Sequence, residues 1–447
     1  MMASLANLSA LPSLSWAARF RFRQHMRQSL WAVPLVGTVA GLALAGLDLW
    51  LEPKVDLPAE WTYSAGAASS LLTAVAGAMV GLVGLVVTVG VLVVQMATGT
   101  LSPRFMRLWY RDRLQKLVLA AFTATCAFSY ALLRQAGSGQ VPNLGVTIAG
   151  VAVTVDLVLL LLYLDRFVHA LRPVAVGAAM AKGGLAVSAE IERELPVTPG
   201  SALSDWASAE ADLHVLASRS GAIQAVHLGG LVRFADAARV VCVFRHTVGD
   251  FVTAGGTLVD VYGPASAGDA RRIRGMIAIG HERTIDQDPA FALRIMVDIA
   301  IRALSPAVND PTTATQMLNH IGALLHSLGS RESLGNGLRA GPDGEIRLAA
   351  PARSWDDYLV LAVAEIRAYG GSSLQICRRL RALLLDLESS VVPDNQPAVR
   401  RQLYLLDRTV DEAFPDADDR CQARVADRQG IGGASQAPFH PGVGLRP

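Results

Sequence analysis

Three charged residues, Arg294, Asp298 and Arg302, stand four apart in the otherwise apolar stretch QDPAFALRIMVDIAIRALSP. On a helix of about 3.6 residues per turn each step of four advances only about 40°, so the three share one side. The preceding HERTIDQDP adds His281, Glu282, Arg283, Asp286 and Asp288, and the following AVNDPTTAT adds Asn309 and Asp310. Two kinds of chemistry suit this concentration of guanidinium, imidazole and carboxylate. One is a polar site that receives a ligand. The other, and the commoner for such clusters, is a set of ion pairs that locks a corner. A second candidate is Asp156, mid-way along TIAGVAVTVDLVLLLLYL. A carboxylate in such surroundings is costly, which suits an ion or proton site, or an acid paired with Ser, Thr or a basic loop residue as a packing device.

The elements that hold these residues follow from their flanks. The charged stripe predicts a helix that Pro306 ends, because the residue before a proline avoids helical backbone. Asp310 then caps a new helix with Pro311 at its first position. The free amides there can hold an anion, but the Asp cap already fills that role. A fifth membrane helix is disfavoured, since three central charges cost about 2.5 to 3.5 kcal/mol each on insertion. A buried helix with one polar stripe fits better.

The whole chain is 52% hydrophobic and only 17% charged, against about 25% charged in soluble proteins. Four runs are long enough to cross a hydrocarbon core, which takes about 20 apolar residues: approximately 29–51, 69–97, 117–133 and 144–164. Basic residues alternate across them. Arg19, Arg21, Arg23 and Arg27 precede the first, and Arg104, Arg107, Arg111, Arg113 and Lys116 follow the second. Only Lys54 and Arg134 stand in the other two loops, and Arg166, Arg172 and Lys182 follow the fourth. This predicts both termini in the cytoplasm of a bacterial inner membrane. Trp31, Trp50, Trp61 and Trp109 sit where interfacial anchors belong. The first run ends in LDLWLEP without a small-x-small cleavage site, so it reads as a retained anchor. Gly77 and Gly81 form a GxxxG, expected to let another helix approach closely.

The expected division is a basic N-terminal segment (1–28), a four-helix transmembrane domain (29–175), a β-rich cytoplasmic module (176–284), a cytoplasmic helical subdomain (285–425) and a disordered tail (426–447). The fold class is therefore membrane α-helical followed by an α+β region. Short apolar runs separated by Gly turns over 212–280 predict strands. Ser354 with Asp357 forms a capping box that opens one helix, and Pro397 opens another. Cys126, Cys242, Cys377 and Cys421 lie far apart without metal-ligand spacing and read as reduced thiols.

Two resemblances add to this. VGDFVTAGGTLVDVYG (248–263) resembles the barrel-sandwich hybrid folds that include biotinyl and lipoyl carriers, but no lysine follows Lys182, so covalent attachment of such a cofactor is excluded. SPRFMRLWYRDRLQ, the GDFVTAGGTL turn and above all GHERTIDQDPAFALRIMVDIAIRALSPAVNDPTTAT resemble the bacterial predicted-membrane-protein family catalogued as domain of unknown function 2254, over about 25–415. That likeness implies an inner-membrane architecture and carries over no catalytic residue.

The functional expectations are a channel, transporter or gating component, for which four spans and Asp156 argue, or a membrane-tethered sensor or assembly module binding a small ligand or partner protein. An enzyme is disfavoured, because no nucleophile elbow, P-loop, metal-ligand spacing or dinucleotide fingerprint appears. No cofactor or metal is expected. The lipid bilayer is the expected partner, with homo-oligomerisation because four spans enclose little by themselves. Nucleic acid is not expected, since no basic stripe with interleaved aromatics is present.

Overall fold

The computed structural model describes residues 15–54, 58, 61–100, 112–136, 141–170, 172–194, 210–331 and 337–432. Arg104, Arg107, Trp109 and Arg111, residues 195–209, and the tail from 433 lie outside the described residues. Two compact units are present. One is Arg23–Ala175, and the other joins the segment up to Phe22 to everything from Val176.

In the first unit, four helices are long and apolar enough to cross a membrane: α2 (Ala32–Leu51), α3 (Ala65–Thr100), α4 (Arg113–Ala136) and α5 (Asn143–Ala170), preceded by α1 (Trp16–Gln28). The expected third span was the shortest, yet α4 runs seven residues further in all and takes in Lys116 and Arg134. The reason is its position. It packs against α2, α3 and α5, and is the most enclosed of the four. A central helix needs less apolar surface, because its polar groups find protein partners instead of lipid. Lys116 is one example: it is buried, and its Nζ donates to the carbonyl of Arg27 near the end of α1.

The close helix contact is made by Gly37 and Gly41 of α2. A Cβ at Gly37 would stand 2.8 Å from Ala120 Cα, and one at Gly41 would stand 2.9 Å from the Ala124 carbonyl carbon. Only glycine lets the two backbones meet so closely. Thr123 Oγ1 adds a hydrogen bond to the carbonyl of Pro34 at 3.0 Å. Within the chain Gly77 and Gly81 do not make such a contact: a Cβ at either would meet nothing within 4 Å, so they face away from the other three helices.

The second unit begins with α6 (Pro173–Glu194) and continues through β1 (Leu213–Leu216), β2 (Gly221–Val226), α7 (Leu228–Ala238), β3 (Val241–Phe244), β4 (Phe251–Val252), β5 (Thr257–Tyr262), α8 (Ala267–Arg274) and β6 (Ile277–Gly280). Then come α9 (Pro289–Ala303), α10 (Pro311–Gly329), β7 (Leu338–Ala340), β8 (Ile346–Ala349), α11 (Trp355–Gly370), α12 (Leu374–Ser390), α13 (Gln396–Ala413) and α14 (Ala417–Ala423). One sheet has the order β1-β5-β3-β8-β7 and the other β4-β2-β6. The TAGG turn between β4 and β5 carries the chain from one sheet to the other, which is the part of the carrier-like pattern that the structure contains.

It departs from that pattern in two ways. The amphipathic helices α7 and α8 lie inside the stretch read as strands, and pack Leu231, Phe234 and Ile273 into the core with Val215, Ile223 and Leu258. The stretch read as helical supplies β7 and β8, and β8 pairs with β3 in parallel. Parallel pairing joins residues more than a hundred positions apart, so no local pattern announces it.

The described part of the N-terminal segment, from residue 15, is also packed. Trp16 stacks on His227 at 5.1 Å, and Ala17 N–H donates to the carbonyl of Gly275 at 2.9 Å. The start of the expected tail is held as well. Asp427 accepts from the amides of Gln429, Gly430 and Gly432 at 2.8–3.0 Å.

Candidate functional site

The residues of the 281–310 cluster separate into three groups. The first is a loop stitched to a strand. Gln224 Nε2 donates to the carbonyl of Glu282 at 2.8 Å, and the Gln287 side chain accepts from Val226 N–H at 2.8 Å while donating to Val226 O at 3.1 Å. Within this loop Arg283 pairs with Asp288, which also caps α9 by accepting from Phe291 N–H at 3.3 Å. His281 is exposed on the same loop.

Gly249, from the GDFVTAGG segment, lies directly against that pair. Its φ of +99° is a left-handed conformation that favours glycine. A Cβ there would stand 2.6 Å from both Arg283 Cζ and Asp288 Oδ2. Two separate motifs of the sequence thus meet at one point. Tyr358, in the first turn of α11, stands near the same acid. Burial first, and then the Asp288 charge, push its phenol up to about 12. A raised phenol pKa in the folded state means the unfolded chain ionises first, from about pH 10. The stability of the protein should therefore fall between about pH 10 and 12 more steeply than that of Tyr358→Phe, as read by chemical denaturation across that range.

The second group is the four-residue stripe. Arg294 donates to Asp298 Oδ1 at 2.6 Å and grips Glu365 of α11 with both terminal nitrogens, Nη2 to Oε2 at 2.9 Å. The hydrogen bonds to Glu365, ahead of those to Asp298, hold its guanidinium even more firmly charged than usual. Arg294 is thus a clamp between α9 and α11. Arg302, one turn further along, does not join the clamp: no side-chain partner for it is found among the described residues, and it is half-buried.

The third group is the corner. Asp310 caps α10, accepting from Thr313 N–H at 3.0 Å and Thr313 Oγ1 at 2.5 Å. Its own N–H donates to the carbonyl of Ala303 at 2.8 Å, tying the two helix ends. Asn309 turns the chain with φ +48°, a conformation Asn tolerates better than most residues. The structure therefore gives Asp288, Arg294, Asp298 and Asp310 internal partners, and Glu365, which carried no signal in the sequence, is the missing half of the clamp.

In the four-helix unit Asp156 is buried on α5 and hydrogen-bonded to Thr125 of α4, while its Oδ2 has no partner among the described residues. Asp48 of α2 is equally enclosed, and neither of its oxygens has a hydrogen-bond partner among the described residues. It lies against the first turn of α5, where a Cβ on Gly145 would stand 3.1 Å from Asp48 Cγ. That helix start is already capped by Glu52, whose two oxygens accept from Asn143 and Leu144 N–H at 2.8 and 3.0 Å. A cavity of about 160 Å³ lies between α2, α4 and α5, and both Asp48 and Thr125 line it. Ser129 of α4 and Tyr163 of α5 add further buried hydroxyls without partners among the described residues.

Four helices long and apolar enough to cross a membrane, with carboxylates buried among them, and a separate mixed α/β unit define a predicted membrane protein. The chain belongs to the family described as Predicted membrane protein (DUF2254), whose model matches residues 27–386. It is 31% identical over 414 residues to an uncharacterized protein of Mycobacterium tuberculosis (strain CDC 1551 / Oshkosh), covering 89% of this chain and 79% of that one. An uncharacterized protein of Mycobacterium bovis is 30% identical over the same coverage. No solved structure matches.

Proposed function

We propose that the four-helix unit moves protons or a small cation across a bacterial inner membrane, with both termini in the cytoplasm and the α/β unit regulating passage. One observation carries this reading. Asp48 and Asp156 are buried with unfulfilled oxygens, and Thr125 belongs to both surroundings, lining the cavity beside Asp48 and bonding Asp156. Buried carboxylates of this kind in membrane helices mark ion and proton routes. Ser129, one turn from Thr125 on α4, and Tyr163, two turns from Asp156 on α5, add buried hydroxyls without partners among the described residues that a proton route could use. Homo-oligomerisation belongs to the same proposal, because the glycine face of α3 is left open to a second copy.

The test is flux into liposomes loaded with a pH-sensitive dye, under an imposed potassium diffusion potential. The purified protein should acidify or alkalinise the lumen according to the sign of the potential, and Asp156→Asn should reduce the rate at least about tenfold. Unchanged flux in both Asp156→Asn and Asp48→Asn, or no flux of protons, sodium or potassium by the parent protein, overturns the proposal.

A further inference from the structure

A second cavity, of about 170 Å³, lies in the α/β unit between β3, β8, the start of α9 and the start of α11. Its walls are mostly apolar, with Phe244, Leu348 and Pro289 among them, yet two arginines, Arg339 and Arg353, line it. Arg339 is 92% buried, since only 8% of it is exposed. Its Nη1 donates to the carbonyl of Leu338 at 2.8 Å, and its Nε has no partner among the described residues. No ion pair is found for Arg339 or for Arg353 among the described residues. Among the described residues that line it the one carboxylate, Asp288, is already taken by Arg283 and by the amide of Phe291.

A buried guanidinium without a counter-ion is expensive, and the expense is removed when an anion arrives. Burial alone pulls the Arg339 pKa down, the direction expected of a cation that lacks its partner. The size of the cavity limits the anion. An apolar cavity of about 150 Å³ accommodates a molecule the size of benzene. Phosphate alone would leave the apolar wall unfilled, whereas a planar carboxylate matches the fork of one guanidinium and leaves its hydrocarbon body for Phe244 and Leu348.

We propose that this cavity binds a small organic carboxylate with an apolar, roughly benzene-sized body, its carboxylate held by Arg339 and Arg353. The proposal stands whether or not the four-helix unit conducts. It makes the α/β unit a receptor for weak organic acids, and it uses the cations of the cavity, which are distinct from the Arg294 clamp.

Isothermal titration of the full-length protein in lipid nanodiscs with benzoate tests it, with benzamide and inorganic phosphate as comparison titrants. Saturable benzoate binding is expected, weakened about tenfold or more in Arg339→Met and in Arg353→Met and unaltered in Arg302→Met. Arg353→Met keeps the test open where loss of Arg339 disturbs folding, because Arg353 is only half-buried. Absence of saturable benzoate binding, binding undiminished in both cavity variants, equal affinity for benzamide, or binding of phosphate to the exclusion of benzoate each overturns the proposal.

Discussion

Gly41→Leu is expected to collapse the four-helix unit, while Gly81→Leu leaves the packing within the subunit intact and acts only on association with a second copy. The two glycines sit in equally apolar helices, but a side chain at 41 points at the Ala124 backbone and one at 81 meets nothing within 4 Å. Forcing a side chain into a packed interior costs about 1–3 kcal/mol when neighbouring side chains can adjust. Here the obstacle is a peptide group, which can move only if the whole of α2 retreats from α4. That retreat also breaks the Thr123 bond to Pro34 and opens the cavity lined by Asp48. The cost therefore lies at or above the top of that range. Thermal unfolding of the purified proteins in one detergent, followed by size-exclusion chromatography, measures it. Equal melting of Gly41→Leu and the parent would show that α2 and α4 do not meet in this way.

Arg294→Ala is expected to destabilise the α/β unit by about 2–4 kcal/mol. Removing one partner of an enclosed ion pair leaves uncompensated charge and costs about 3–5 kcal/mol when burial is complete. Arg294 is largely enclosed, but Glu365 is about half exposed, so water recovers part of that cost for the glutamate. Asp298 is more enclosed and recovers less. Arg294→Lys should restore little, because one ammonium cannot grip both oxygens of Glu365 while also reaching Asp298. Urea denaturation of the full chain, monitored by tryptophan fluorescence, gives the values. In the double variant Arg294→Ala/Glu365→Ala the loss should be smaller than the sum of the single losses, as coupled partners require.

The parts of this protein that were legible in the sequence are those fixed by short-range physics. Asp310 was recognisable as a helix start because a cap depends on residues three apart, and Pro306 was recognisable as a stop; Asp288, read only as one of a charged cluster, caps α9 by the same spacing. Four spans were visible as runs of apolar residues. What was not legible depends on distant neighbours. Glu365 stands 71 positions from Arg294, and nothing in EIRAYGG marks it as the second half of a clamp. GxxxG at 77–81 satisfied the pattern for close packing, but GTVAG at 37–41 makes the contact, because the choice was set by which face of each helix the others cover. The strands β7 and β8 were hidden for the same reason, since their pairing partner β3 lies about a hundred residues away. Arg339 is a further case. Its type is ordinary, and only the folded chain shows it enclosed without a counter-charge among the described residues.

The meeting of Gly249 with Arg283 and Asp288 has an evolutionary consequence. A side chain at position 249 would be strained by the φ of +99° and would also push Arg283 and Asp288 aside, so the turn and the ion pair constrain each other. Related chains are expected to lose or keep all three residues together, which an alignment of relatives checks.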